Sequence, residues 1–221
     1  MEDSDRSGGT RADEVHRILR YEITHGILKA GNALIEDEIA TRLGVSRTPV
    51  RDSMQRLNAE GLIESRRRRW VVKDHTPEEL VEIYQVRAAL ESYGARLAAV
   101  EATPEERRVI LELGEQDQTD PRTRATINEQ FHAQILRSAH NRRLESALNQ
   151  HMLVHFDAQV AMLYSSADLE RSAAQHAALG KAIASGDVEL AGKLAREHVE
   201  YSLGLLIEKT VPAAPRLQLR G

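Results

Sequence analysis

The sequence predicts a mostly α protein: an N-terminal winged helix-turn-helix followed by a C-terminal all-α six-helix bundle. Two short amphipathic runs carry the first half of that expectation. Ile39, Ala40 and Leu43 fall at helical spacing, and Val50, Met54 and Leu57 resume the pattern after Gly44, Val45 and Ser46. Two helices joined by so tight a turn make a helix-turn-helix. Composition carries the second half. The chain is 41% hydrophobic but only 4% aromatic, so its core must be built from Leu, Ala, Ile and Val, which favours helices packed on helices.

Residues 1–9 are polar and read as a flexible tail. Ala12 to His25 then places Val15, Ile18, Leu19 and Ile23 on one helical face, and Gly26 stops the run. Ala30-Gly31-Asn32 makes a turn. In the helix-turn-helix, Ser46 is expected to cap the second helix by accepting from the amide of Thr48. Pro49 falls in the first turn, where its missing N–H leaves no intrahelical bond unmade. Leu62–Ser65 and Trp70–Val72 read as short strands flanking a basic tip of Arg66, Arg67, Arg68 and Arg69, a β-hairpin wing. These elements make a first domain of residues 10–75.

Thr76 and Pro77 open a second domain, residues 76–209, with threonine as cap and proline in the first helical position. Its helices are expected at about 77–101, 104–119, 121–139, 141–165, 168–185 and 187–209. Thr103-Pro104, Asp120-Pro121, Asn141 and Gly186-Asp187 punctuate them. Residues 210–221, with Pro212 and Pro215, read as a second tail.

At 221 residues the chain has room for two ordinary domains, and it has no cysteine, which excludes disulfides and thiolate metal sites. No run of eighteen apolar residues or signal-like N-terminus is present, so a cytoplasmic protein without a membrane segment is expected. A net charge of −4 conceals a local excess. Glu38 to Lys73 holds nine Lys/Arg against four acids, leaving +5 there and −9 elsewhere. Such a distribution directs nucleic acid to one end of the molecule. Arg47, Thr48 and Arg51 open the second helix of the motif, the end that reaches base edges when a helix lies in the major groove. The four wing arginines suit the phosphate backbone.

In the helical region, polar residues interrupt lines that should be apolar. Arg87 falls on the line Leu80, Ile83, Leu90, Gly94, Leu97. A buried guanidinium there needs an internal partner such as Glu91, or else captures an anion. Asn128 and His132 share a face with Ile135 and Ala139. His176 lies on the line Leu169, Ser172, Leu179, Ile183, and His198 on Ala191, Leu194, Tyr201, Leu205. One histidine on such a line is usually a satisfied core residue. Three on three helices, with an oxygen side chain one turn from the first, suit a divalent metal. His151 and His155 form a rival pair, but HMLVH lacks the glutamate of a zinc-protease helix. His155 and Gln159 are expected nearer the pocket than His151. No acid is marked by its position as a general base, and Ser172 has no activator in the sequence, so an enzyme is not expected.

Two strings then resemble a known family over nearly the whole length. LGVSRTPVRDSMQRLNAEGLI is similar to the DNA-binding signature of GntR-type transcription regulators. YQVRAALESYGARLAA and NEQFHAQILRSAHNRRL resemble the all-helical FCD ligand-binding domain of the FadR-type subfamily. The resemblance implies a homodimeric repressor or activator on a palindromic DNA operator, controlled by a small carboxylate effector. It also implies a divalent metal, zinc or nickel, at Asn128, His132, His176 and His198. Arg87 matches the arginine of the V-R-x-x-L-E string and, with His155 and Gln159, is the expected effector contact. On the DNA side the family's contacts fall on Arg47, Thr48 and Arg51. Two departures stand out. Asn128 replaces an aspartate common in the family, which weakens the site or shifts its metal preference. The wing lacks the family's usual glycine and with it an easy φ > 0 position.

Overall fold

The structure, a computed structural model, describes residues 10–24, 26–116, 121–150 and 164–210. The chain divides into two compact units, with the boundary between Asp74 and His75. No helix among the described residues is long and apolar enough to cross a membrane.

In the first unit, α1 spans Arg11–Thr24, β1 Ala33–Leu34, α2 Glu36–Leu43, α3 Arg47–Ala59, β2 Ile63–Arg66 and β3 Arg69–Val72. The apolar face of α1 packs on α3, and Val15, Leu19, Ile23, Val50, Met54 and Leu57 form the core. The strands form an antiparallel sheet in the order β1-β3-β2. Strand β1, which the sequence pattern did not suggest, is only two residues long and adds an edge to the wing. Gly44 ends α2 in the left-handed region at φ 65° and lets the chain turn sharply into α3.

Ser46 occupies the N-cap position of α3 with extended backbone, but its side chain makes no capping hydrogen bond. The expected bond to Thr48 is therefore absent. The reason lies in the sequence. Thr76, Thr103 and Ser165 each accept from the third residue of their helix, and in α3 that residue is Pro49, which has no N–H.

The wing also differs from expectation. Arg66 and Arg69 lie in the strands as a cross-strand pair, so only Arg67 and Arg68 form the turn. Both take positive φ, 48° and 66°. A two-residue turn of this kind matches the right-handed twist of the strands and normally uses Asn-Gly or Gly-Gly. Here two arginines accept the conformation at a cost of about 1–2 kcal/mol each.

The second unit contains α4 Pro77–Glu101, α5 Pro104–Glu115, α6 Pro121–Ser138, α7 Arg142–Gln150, α8 Ser166–Ser185 and α9 Val188–Thr210. Helix α4 packs along α9, and α5 packs against α8. Three capping boxes fix helix starts: Thr76 with Glu79, Thr103 with Glu106 and Ser165 with Asp168. The last corrects two expected boundaries. Tyr164 and Ser165 are not helical, and α8 begins at Ser166 because Ser165 caps it. Helix α5 stops at Glu115, short of 119, where Gln116 turns extended. One apolar cluster includes Ala95, Ala98, Ile110, Phe131, Ile135, Leu179 and Ala191. A second includes Leu80, Tyr84, Val199 and Leu203.

Replacing the turn by Arg67→Asn with Arg68→Gly removes the conformational cost. The thermal midpoint of the first unit rises by about 4–8 °C per kcal/mol recovered. Calorimetry checks the effect.

Candidate functional site

The helical unit brings three expected residues to one point. His132 comes from α6, His176 from α8 and His198 from α9, and all three rings are buried. One ring nitrogen from each lies within 4.8 Å of the other two. Nε2 of His176 is 3.2 Å from Nε2 of His198. His132 stacks on His198 at 5.1 Å between centroids and meets His176 edge-on at 5.4 Å. Phe131 supplies an apolar wall 4.7 Å from the His176 ring. Helix α8 reaches this position because Gly114 on α5 has no side chain. A Cβ there would stand 2.9 Å from the backbone oxygen of His176.

The other faces of these rings are held from outside. Nδ1 of His132 lies 3.0 Å from Oε2 of Glu91, and Oε1 of Glu91 accepts from Nε of Arg87 at 2.5 Å. Burial alone would raise the Glu91 pKa, but Arg87 and His132 outweigh it and hold the carboxyl well below the usual carboxylate range. An ionised Glu91 can only accept, so Nδ1 of His132 is the ring nitrogen that carries a proton toward it, and Nε2 is the nitrogen turned away. That Nε2 is buried and has no hydrogen-bond partner among the described residues. On His198, Gln175 plays the corresponding part, with its Oε1 3.1 Å from Nδ1. A carboxylate or amide oxygen behind the ring is the usual support of a metal-binding histidine.

These features fit a divalent ion. Two nitrogens each about 2.0–2.1 Å from a zinc ion lie roughly 3 Å apart, close to the His176–His198 spacing. Asn128 is buried on α6 one turn before His132. A cavity with room for about one water molecule lies beside Glu91 and His132, walled by Ala95, Ile135, Leu179 and Ala195. Arg87 makes the internal pair with Glu91 that was one of its two alternatives. Its side chain is 1% exposed and is bonded to Glu91. His155 and Gln159 lie outside the described residues. Glu91 and Gln175 are the two contributors that helical spacing did not single out as site residues. The sequence pattern marked no acid beside the histidines because Glu91 arrives from a different helix.

In the first unit, Arg47, Thr48 and Arg51 are exposed on the opening turns of α3, and Arg66 to Arg69 are exposed on the wing. A basic helix end and a basic hairpin are thus both open to solvent.

Residues 11–72 match the bacterial regulatory proteins, gntR family, and residues 82–201 match the FCD domain. The chain belongs to the GntR family of transcription regulators. It is a DNA-binding regulator of the group with an FCD domain, and not an enzyme. A probable D-xylose utilization operon transcriptional repressor of Paenarthrobacter nicotinovorans is 34% identical over 86% of this chain and 86% of its own length. A putative regulator of Mycobacterium gastri, RmpR, is 29% identical over 90% of this chain and 81% of its own. Among solved structures, E. coli McbR/YncC superposes with a TM-score of 0.80 at 23% identity, covering 92% of this chain and all of that one. A GntR regulator from Rhodococcus sp. RHA1 gives 0.73 at 22% identity over 90% and 99%. At these identities the two structures speak for the fold alone.

Replacing Arg87 by Met leaves Glu91 buried beside His132 without its guanidinium and lowers stability by about 3–5 kcal/mol. Adding Glu91→Leu recovers most of that loss. Urea unfolding of the three proteins measures the difference.

Proposed function

We propose that this regulator is a repressor whose DNA affinity is set by a small carboxylate effector bound at a divalent metal in the helical unit. The observation that carries the reading is the convergence of three buried imidazoles with a partnerless Nε2 on His132. His132, His176 and His198 would hold the ion, zinc or nickel, with Asn128 as the fourth donor. When bound, the ion supplies a Lewis-acidic position for an anion. All four side chains are neutral donors, so the charge of a divalent ion is not cancelled by its ligands. A carboxylate completes the balance. Glu91 sets the tautomer of His132, Arg87 keeps Glu91 ionised, and His155 and Gln159 are assigned to the effector.

On the DNA side, Arg47, Thr48 and Arg51 would read base edges in the major groove, and Arg66 to Arg69 would contact phosphates. Two copies of the chain would place two recognition helices on successive half-sites of a palindrome. The effector acts by binding one dimer geometry better than the other, which shifts the population away from the geometry that fits DNA. The relatives described as operon repressors favour repression over activation.

A second reading makes the ion itself the signal. It is favoured by the described cavity beside His132, which has room for about one water and not for an organic acid.

Titrating a duplex enriched by this protein from a randomised pool separates the two readings. If a carboxylate is the effector, metal-loaded protein releases the duplex only when a small organic acid is added. If the ion is the signal, zinc or nickel alone changes the affinity. His132→Ala and His176→Ala each lower metal affinity by about tenfold to a hundredfold or more. Calorimetric affinities equal to the parent would remove the site assignment.

A further inference from the structure

The arginines at the start of α3 are not loose in the free protein. Nη2 of Arg51 lies 3.1 Å from Oε2 of Glu36 and donates a hydrogen bond to it. Nη2 of Arg47 is 3.7 Å from the same oxygen, and Nε of Arg47 is 3.0 Å from Oδ1 of Asp37. Glu36 and Asp37 are the first two residues of α2. The side chain of Glu36 is 19% exposed, whereas those of Arg47 and Arg51 are 58% and 55% exposed. The acid is thus the sheltered, fixed partner and the arginines are the open ones. A single acid on α2 thus engages both arginines that open α3.

A carboxylate so close to a surface that meets phosphates opposes DNA binding in general. It repels the backbone and cancels charge that would otherwise displace counterions. Its place is explained by what it does to geometry. A guanidinium has five N–H donors in a rigid fork. Glu36 engages one edge of Arg51 and fixes the plane of the rest, and a bidentate bond to a guanine depends on that plane. An unrestrained arginine finds phosphates in any register and bases in few.

We propose that Glu36 is a positioning residue for base reading. It holds Arg51, and with Asp37 it holds Arg47, in the orientation that discriminates sequence, at the expense of non-specific affinity. The proposal rests on the assignment of Arg47 and Arg51 to base edges.

The two effects of Glu36 have opposite signs, and this makes the idea testable with the full-length protein. Affinities are measured at fixed salt for the duplex enriched from a randomised pool and for a scrambled duplex of equal length. Glu36→Ala is expected to bind the scrambled duplex as tightly as the parent or more tightly. Its ratio of enriched to scrambled affinity falls by about tenfold, which is about 1.4 kcal/mol. Glu36→Gln keeps the side-chain length and an acceptor oxygen, and falls between. Arg51→Ala loses the ratio as well, and adding Glu36→Ala to it costs no further discrimination, because the two residues act as a unit.

An unchanged ratio in Glu36→Ala, beside a reduced ratio in Arg51→Ala, overturns the role of Glu36 and leaves the docking intact. Equal tightening on both duplexes also overturns it, reducing Glu36 to a local charge. Equal weakening with a lowered thermal midpoint makes Glu36 a structural residue and overturns it too. If Arg51→Ala itself leaves the enriched duplex unaffected, the docking fails first and the proposal with it.

Discussion

A charge inside a helical bundle must find its counter-charge without help from water, and in this chain that requirement is met through Glu91. The carboxylate lies between Arg87, one turn away on the same helix, and His132 on a neighbouring helix. Removing either partner would leave an ion where solvation is poor, so the three positions are coupled more tightly than their separation in sequence suggests. The chain closes an energetic requirement of the core and orients an imidazole with the same atoms. The apolar clusters around it then have a fixed frame on which to pack. Gly114 contributes from the opposite side by letting α5 press against the backbone of His176.

The DNA-binding unit answers the same electrostatic problem at the surface. Its basic excess is not spread evenly: the acids that pair with Arg47 and Arg51 of α3 belong to the first turn of α2 and touch them directly. Opposite charges within one small unit lower its net attraction for a polyanion, but they give long side chains a direction. The wing takes the other course. Arg67 and Arg68 stand at the turn of a hairpin, in a conformation usually left to glycine or asparagine. A basic tip is kept there against the local backbone preference.

Most of the fold was legible in the sequence because it rests on periodicity and punctuation. The two runs around Gly44, and the Thr-Pro pairs before 77 and 104, fixed helices whose observed starts agree to within a residue. Spacing also put His132, His176 and His198 on buried lines, and they converge. Other features depend on what spacing cannot express. The failed cap at Ser46 follows from Pro49 three residues on, a conflict between two favourable local signals. Strand β1 is too short to leave an alternation pattern. The extended backbone of Gln116 and the start of α8 at Ser166 were set by caps and chain direction, not by hydrophobic period. Glu91 and Gln175 were missed as parts of the site because their partners lie 41 and 23 residues away, and their role exists only once the helices pack. Arg87 was correctly singled out as anomalous, and its partner was among the alternatives.

The connection between the units gives α4 a further property. Strand β3 ends at Val72 and α4 begins at Pro77, so four residues separate the sheet of the wing from a continuous helix of 25. Glu91 lies fourteen residues into that helix, about 21 Å along its axis. A hydrogen-bonded rod of this length does not stretch, and its start is pinned by the Thr76–Glu79 capping box. A shift or roll imposed on α4 at Glu91 therefore travels to Pro77 nearly undiminished. There it meets a tether of few torsions, with proline's fixed φ at its end. In mechanical terms α4 is a rod, clamped at its start by that capping box and loaded part-way along by the ion pair.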